Sequence, residues 1–464
     1  TADSINNGKK GKVLRIALAH FRVGETDGVS LEMDKWKMQL EKMGHTCVYI
    51  AGSKGVANTP CYIIEELRYR YPLKIKIVDN CYKALTDYPD ECLLLQDILS
   101  MEQQIEIKLV KILREQRIDL LIVNNIWSLG WDLAAGIAFY NAVKATNIYC
   151  IAHHHDFFWE RKLYQKPTCA FVKDMLDQYF PPKDKQIIHC VINKIAGETL
   201  KSRSGIVAQV VPNVFDFSAP PWKKDDYNRD IRERCGIKDN DIVFLQATRI
   251  CERKGLELAI DTLAEVNRRK SELVGRTLYN GVLFSEENKI WYLLAGMDED
   301  YNYYNRIVKQ ASEKSVPIKW IGDNVDYSRK VNPQGDKVYS IWDVYTMADF
   351  VTYPSLLEGW GNQLLEAVFA EKPELIYEYP VYQTDIAERK FDFVSLGDQV
   401  FSDADGMKFV SGDTYKKCAE SIIQILTDAE RYRQIINHNL DIGKKHFSYQ
   451  QLYDILDGLM SSYC

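Results

Sequence analysis

The sequence predicts an α/β protein built from two Rossmann-like domains. Its 464 residues exceed what one hydrophobic core usually serves. Short β-branched apolar runs alternate with stretches of helical period, which is typical of a parallel sheet wound with helices, and this alternation occurs twice. A stretch at 211–221 contains three prolines and separates the two halves. We therefore expect a hinge there and a ligand-binding cleft between two domains.

The candidate elements follow from this pattern in chain order. The first half contains the predicted strands Val13–His20, Thr46–Ala51, Asp119–Asn125, Ile148–His153, Gln186–Ile192 and Val207–Pro212. A glycine-containing loop at 24–28 follows the first of these and leads into a predicted helix, Val29–Lys42, which ends before Gly44. The second half contains the predicted strands Ile242–Ala247, Ile290–Ala295, Ile318–Ile321, Asp349–Tyr353 and Glu374–Tyr377. The last stretch, Tyr449–Met460, has helical spacing.

Composition argues against several classes of protein. The 59 basic and 65 acidic residues are interleaved, so no surface indicates nucleic acid or an anionic membrane. The richest apolar stretch, 120–143, is interrupted by polar residues, and residues 1–10 show no apolar core of a signal peptide. The 11 cysteines form no Cys-x-x-Cys pair, which favours reduced thiols. We expect a cytoplasmic protein without stable membrane insertion that acts on small molecules.

One loop combines glycines with two carboxylates. Residues 354–368 are predicted as strand end, loop and helix, in which Gly359 and Gly361 let backbone amides approach an anion. A helix starting near Asn362 adds the positive end of its dipole. Glu358 and Glu366 are then placed to accept hydrogen bonds from sugar hydroxyls. Alternatively, Glu358 is a solvated loop charge and Glu366 a helix cap.

A second loop carries two cations. Arg249 and Lys254 lie five residues apart directly after the strand that opens the second half. Open α/β sheets bind ligands at the carboxyl ends of their strands, where such a pair suits a diphosphate leaving group. We expect both side chains to be exposed in the cleft. The alternative is a pair of solvated basic residues.

A histidine triplet ends a strand of the first half. If the strand continues, His153 and His155 share one face and His154 lies on the other. Asp156 follows and is placed to orient an imidazole or to meet an acceptor. A metal site is the less favoured interpretation, because adjacent residues on a strand rarely converge on one ion.

The motifs together resemble a known family. Arg-x-x-x-x-Lys-Gly at 249–255, Trp-Ile-Gly-Asp at 320–323 and Glu-Gly-Trp-Gly-x-x-x-x-Glu at 358–366 are similar in order and spacing to family 4 retaining glycosyltransferases of the GT-B fold. Trp360 stands where phenylalanine is usual in that family. The glycine loop before Ser30 also resembles the family's opening strand, loop and helix.

The resemblance implies an architecture and an activity. Two Rossmann-like domains would face each other across a cleft, with 1–215 on the acceptor side, 216–446 binding the donor nucleotide, and 447–464 forming a helix that packs back on the first domain. The activity would move a hexose from a nucleoside diphosphate sugar to a soluble hydroxyl acceptor, a small polyol, sugar acid, sugar or sugar phosphate, with retained anomeric configuration. Neither a cofactor nor a metal is implied.

The resemblance also implies roles for residues. Arg249 and Lys254 would hold the diphosphate and stabilise its charge, Glu358 would lie beside the donor sugar, and Glu366 would bind the ribose. His155, or else His153, would contact the donor sugar. The remaining donor contacts would come from Gly322, Gly359, Trp360, Gly361 and Asn362. The candidate acceptor contacts are Asp27, Gly28, Ser30, Asn125, His154 and Asp156.

Other functions remain as alternatives at this point. A non-catalytic sugar-nucleotide-binding protein and a GT-B sugar-nucleotide epimerase both fit the same fold. A dehydrogenase is disfavoured, because residues 21–28 lack the Gly-x-Gly-x-x-Gly pattern of a dinucleotide site. The donor base, the acceptor and the oligomeric state are open from the sequence.

Overall fold

A computed structural model describes residues 12–463. Residues 1–11 and Cys464 lie outside the described part, and with them the segment 1–10 in which we predict no signal peptide. The chain folds into two compact units. Unit 1 runs to Asn213 and takes in the chain again from Tyr449, whereas unit 2 comprises Val214–Ser448.

Unit 1 is built on a parallel sheet of seven strands in the order β5-β3-β1-β6-β7-β8-β9. The two remaining short strands, β2 and β4, pair with each other. Numbered along the chain, the large sheet reads 3-2-1-4-5-6-7, the Rossmann order, which reverses between β1 and β6. The strands are β1 Arg15–Ala19, β2 Arg22–Val23, β3 Thr46–Ala51, β4 Ser53–Lys54, β5 Cys61–Ile63, β6 Leu120–Asn124, β7 Tyr149–His154, β8 Ile187–Val191 and β9 Gln209–Val210.

Helices cover this sheet and supply much of its core. The longest has apolar side chains at helical spacing, and the series Leu94, Ile98, Met101, Ile105 and Leu109 is fully buried. Asp90 caps its first turn by accepting a hydrogen bond from the amide of Leu93. The helices are α1 Gly28–Lys42, α2 Pro72–Tyr82, α3 Glu91–Glu115, α4 Leu133–Thr146, α5 Ala170–Tyr179 and α6 Lys194–Ser204.

Unit 2 repeats the Rossmann order. Its main sheet is parallel, in the order β12-β11-β10-β16-β17-β18, so the order reverses between β10 and β16. Smaller sheets, β13-β15-β14 and β19-β20, lie outside it. The strands are β10 Ile242–Gln246, β11 Ile290–Leu294, β12 Ile318–Trp320, β13 Val325–Asp326, β14 Lys330–Val331, β15 Lys337–Ser340, β16 Phe350–Tyr353, β17 Glu374–Ile376, β18 Val394–Ser395, β19 Phe401–Ser402 and β20 Lys408–Phe409.

Several helices of unit 2 pack on its main sheet, and one further helix belongs to unit 1. Those of unit 2 are α7 Ile231–Arg234, α8 Leu256–Arg268, α9 Tyr301–Glu313, α10 Ile341–Met347, α11 Asn362–Phe369, α12 Gly412–Leu426 and α13 Ala429–His446. The last helix, α14 Tyr449–Ser461, packs against α1 in unit 1. There the ammonium of Lys42 lies 5.4 Å from the centroid of the Tyr453 ring.

The predicted strands are confirmed with end shifts of at most two residues, and the last strand of unit 1 is shortened most. Val207–Pro212 is too long, because only Gln209–Val210 forms a strand and Pro212 has no N–H to continue the ladder. Strands β5 and β18 and the small sheet around β15 were not predicted, and each of these strands has four residues or fewer. Short strands of this kind carry too few residues to show a period of two.

Candidate active site

Unit 2 carries two loops at the point where its strand order reverses. One loop, 247–255, follows β10, and the other, 354–361, follows the neighbouring strand β16. The carboxyl ends of such neighbouring strands are where open α/β sheets bind ligands. The structure therefore brings together the two motifs that are more than 100 residues apart in the sequence.

The two loops are held together by backbone contacts. The amide of Leu356 donates to the carbonyl of Arg253 at 2.8 Å. Gly255 adopts a left-handed conformation with φ of +61°, and a Cβ there would lie 2.3 Å from the carbonyl oxygen of Pro354. Only glycine combines this conformation with so close an approach. The glycine of the Lys-Gly motif thus fixes where Lys254 sits.

We expect Gly255→Ala to lower the free energy of unfolding by about 2 kcal/mol or more, because it adds backbone strain and a steric clash. Gly275→Ala is the matched control, since Gly275 also has a positive φ, +79°, but no atom lies within 4 Å of the added Cβ. Thermal unfolding of both variants measures the difference. Equal melting temperatures would show that the contact with Pro354 is unimportant.

The charged groups at these loops form an ion-pair cluster. Lys254 is 3% exposed and forms an ion pair with Oε1 of Glu358. Nη1 of Arg253 lies 3.2 Å from Oε2 of the same carboxylate. Burial lowers the pKa of Lys254, and the charge of Glu358 acts in the opposite direction. The expectation that Lys254 is exposed is therefore wrong, because the second loop closes over its side chain.

Arg249 is exposed, as predicted, with 53% of its side chain accessible. Its Nη1 lies 2.6 Å from Oε1 of Glu299, a carboxylate that was not predicted to take part in the site. Glu299 reaches this position because the loop after β11 pairs with the loop after β10, through the bridge between Ile250 and Asp298. The pair joins residues 50 positions apart, and no local motif announces it.

The other residues predicted to contact the donor differ in how deeply their side chains are buried. Helix α11 begins at Asn362, as predicted, and Oε2 of the half-buried Glu366 accepts from the Tyr345 hydroxyl at 3.2 Å. Trp360 is buried and packs on Phe447, with ring centroids 5.6 Å apart. The indole thus belongs to the core of unit 2, and its Nε1 has no hydrogen-bond partner within the described chain.

The glycines of the motifs occupy distinct places. Gly359 is exposed, whereas Gly361 is buried, and a Cβ there would lie 2.3 Å from the Tyr379 hydroxyl. Gly322 opens a 3₁₀ turn, Gly322–Asn324, and packs against the Trp320 ring. The Trp320 indole donates to the carbonyl of Gly296 at 2.8 Å, which ties this turn to the loop that carries Glu299.

Unit 1 places the histidine triplet as predicted. His153 stacks on Trp36 with a centroid distance of 4.2 Å and lies 4.4 Å from the ring of His155. His154 lies on the other face, against His189. Strand β7 extends to His154, which places His155 just beyond its end.

A hydrogen-bond chain fixes His154. Nε2 of His189 contacts the Pro182 carbonyl at 3.1 Å and must carry a proton, since that oxygen only accepts. Nδ1 of His189 therefore accepts from Nε2 of His154 at 3.0 Å, and Nδ1 of His154 accepts from the Ser128 hydroxyl at 2.7 Å. Both nitrogens of His154 are occupied, so its predicted contact with an acceptor requires one of these bonds to break.

Asn125 organises the loop after the triplet. It has a φ of +60°, and its Oδ1 accepts from the amide of His155 while its Nδ2 donates to Asp156, both at 3.0 Å. Asp156 also forms an ion pair with Arg161. These contacts hold the backbone of His155 in place, and Nε2 of His155 has no hydrogen-bond partner within the described chain.

The other predicted acceptor contacts lie at the start of α1. Asp27 caps this helix and accepts from the amide and the hydroxyl of Ser30, at 3.2 and 2.6 Å. Gly28 is the first residue of the helix. Burial raises the pKa of Asp27, but the hydrogen bonds from Ser30 and the charge of Arg22 outweigh it and lower the pKa.

Buried histidines make the stability of unit 1 depend on pH. Burial lowers the pKa of His20 and of His189 to about 4, below the 6.5 of an unfolded chain. Between these values the unfolded state binds protons that the folded state excludes, so stability falls as the pH drops from about 6.5 to 4. We expect each histidine to contribute up to about 3 kcal/mol of this loss.

Thermal unfolding between pH 4 and 7.5 measures this dependence. His189→Gln, which keeps a donor for the Pro182 carbonyl, should reduce the dependence of the melting temperature on pH. An unchanged slope would show that the pKa of His189 is the same in the folded and unfolded states.

Comparison with known proteins identifies the family to which the chain belongs. Residues 228–440 match the family model described as glycosyl transferases group 1. A curated relative, mannosylglucosylglycerate synthase of Petrotoga mobilis, is 40% identical over 94% of this chain and 98% of its own length. The chain belongs to the group 1 glycosyl transferases. A second mannosylglucosylglycerate synthase, from Thermotoga maritima, is 39% identical over 96% of this chain and 99% of its own length.

The solved structures agree on the fold of this group 1 glycosyltransferase. A glycosyltransferase from Rickettsia africae is 12% identical and superposes with a TM-score of 0.62, covering 96% of this chain and 97% of its own. The predicted family and GT-B fold class are confirmed. Within residues 12–463, no helix is long and apolar enough to cross a membrane.

Proposed function

We propose that this group 1 glycosyltransferase transfers a mannosyl group from a nucleoside diphosphate sugar to glucosylglycerate, forming mannosylglucosylglycerate. Support for this product comes from the two curated relatives, whose similarity spans nearly the whole of both chains. Support for the donor comes from the cations at the point where the strand order of unit 2 reverses. A diphosphate requires positive charge there, and Arg249 and Lys254 supply it.

The proposed reaction proceeds with retention of anomeric configuration. The acceptor oxygen bonds to the anomeric carbon on the face from which the diphosphate leaves, and the departing diphosphate takes the hydroxyl proton. Negative charge grows on the leaving group as its bond to carbon breaks. Lys254 is buried against Glu358 and is therefore fixed before the reaction, so it stabilises this charge without reorganisation, and the exposed Arg249 adds a second positive charge.

We also propose that catalysis needs no metal, because these two cations and the amides at the start of α11 take the part of a divalent ion. Glu366, on the same helix, is the proposed ribose ligand, and the turn beginning at Gly322 is the proposed site of the base. Glu358, which anchors Lys254, and His155, in unit 1, are the proposed donor-sugar contacts.

A product assay tests the proposal. The protein is incubated with glucosylglycerate and UDP-, GDP- or ADP-mannose, with and without EDTA, and the product's anomeric configuration is read by NMR. We expect transfer from one donor, unaffected by EDTA, with the donor configuration retained. No product from any donor would refute the proposed substrates, inversion would refute the mechanism, and loss of activity in EDTA would refute the metal-free assignment.

A further inference from the structure

A cluster of polar and aromatic side chains lies where the strand order of unit 1 reverses. We call it the Arg22 cluster, and its members follow β1 or come from the loops beside it: His20, Arg22, Tyr69 and Trp131. The guanidinium carbon of Arg22 lies 4.9 Å from the centroid of the Tyr69 ring. The rings of His20 and Trp131 lie 6.2 and 6.4 Å from the same ring. The Tyr69 ring is therefore the neighbour that the other three side chains share.

Arg22 is fixed on one side and available on another. Its Nε lies 3.1 Å from Oδ2 of Asp27, which is itself held by Ser30 at the start of α1. Within residues 12–463, no acceptor is hydrogen-bonded to its two Nη atoms, and 40% of the side chain is exposed. A guanidinium has five donors, so Arg22 can keep Asp27 and bind a second anion at the same time.

His20 and Trp131 add unpaired polar atoms to the cluster. His20 is 1% exposed, and its Nδ1 contacts the Asn124 carbonyl at 2.9 Å, so Nδ1 carries the proton and Nε2 is left as an acceptor. Nε2 of His20 and Nε1 of Trp131 are buried and have no hydrogen-bond partner in the described chain. Buried polar atoms without partners are rare in folded proteins and point to a ligand or an ordered water.

We propose that the Arg22 cluster binds the acceptor through its carboxylate, with the Nη atoms of Arg22 as the anchor. His20 and Trp131 then contact hydroxyl groups of the same molecule, one as acceptor and one as donor. The inference rests on the proposed function, in which the acceptor carries a glycerate. A guanidinium matches a carboxylate in planar, two-pronged geometry, and stacking on Tyr69 holds that plane.

The prediction is a loss of selectivity for the charged acceptor. Arg22→Gln should lower kcat/KM for glucosylglycerate by about 10- to 100-fold, the effect of losing a charge-assisted hydrogen-bond pair. The neutral analogue glucosylglycerol, which lacks the carboxylate, should change by less than about 3-fold. Arg22→Lys keeps the charge and should recover part of the loss. Arg203→Gln is the matched control, because its guanidinium also lies over an aromatic ring, 4.6 Å from Trp159.

The outcomes separate the two proposals. A wild-type enzyme that does not prefer glucosylglycerate, or an Arg22→Gln variant that loses equal activity with both acceptors, would overturn the carboxylate site and leave the proposed transferase function intact. The same holds if Arg203→Gln reduces selectivity as much. A wild-type protein that uses neither acceptor with any of the three nucleotide sugars would overturn the proposed function and this inference with it.

Discussion

Lys254→Met is expected to lower kcat by about 1,000-fold. The ammonium of Lys254 is buried against Glu358, so its position is set before the donor binds. A buried ammonium stabilises the charge that develops on a diphosphate far more than an ammonium in water would, because the surroundings screen the interaction less. Methionine keeps the length and apolar packing of the side chain and removes only the charge.

The control is the neighbouring residue. Arg253 contacts the same carboxylate, with Nη1 3.2 Å from Oε2 of Glu358, but 39% of its side chain is exposed. Arg253→Met should therefore change kcat by less than about 3-fold, because an exposed ion pair contributes little. Steady-state kinetics and thermal unfolding of both variants separate catalysis from folding. Equal losses would mean that Lys254 acts only by fixing Glu358, and a Lys254→Met enzyme with more than a tenth of wild-type activity would refute the electrostatic role.

The fold class could be predicted from the sequence because a parallel sheet wound with helices produces short apolar runs that alternate with stretches of helical period. The runs Cys47–Ala51 and Ile242–Leu245 are continuous, apolar and buried, as strands covered on both faces must be. A shared role for the Arg249–Lys254 loop and the Glu358 loop was implied only by the family resemblance, and the pairing of β10 with β16 is what places the two loops side by side. Residues at the carboxyl ends of such strands meet at the same edge.

What the sequence could not supply depends on contacts between distant segments. The burial of Lys254 results from the approach of Gly255 to Pro354, and a motif gives the residues but not that distance. Trp360 occupies a motif position, yet its side chain packs on Phe447 in the core. His154 is bound to Ser128 and His189, and only the fold brings these three together. Arg22, which lies five residues before its ion-pair partner Asp27, was also not selected as a candidate residue from the sequence.

Arg249→Ala is expected to lower kcat/KM by about 100-fold, because it removes the exposed cation that we propose binds the donor diphosphate. Without a donor, the guanidinium of Arg249 forms an ion pair with Glu299 through Nη1. The incoming diphosphate must share or displace this carboxylate. Glu299→Gln should therefore act in the opposite direction and lower the donor KM by up to about 5-fold, the typical strength of an exposed ion pair.

Glu252→Gln provides the matched control for this second substitution. Glu252 lies on the same loop as Arg249, forms an ion pair with Arg306 at 2.5 Å, and its replacement changes the net charge by the same amount. A general increase in attraction for the anionic donor would appear equally in both variants and fade at high salt. A lower KM in Glu299→Gln alone would show that Glu299 competes with the diphosphate for Arg249. A higher KM in that variant would mean instead that Glu299 positions the guanidinium for the donor, and the competition between the two anions would be refuted.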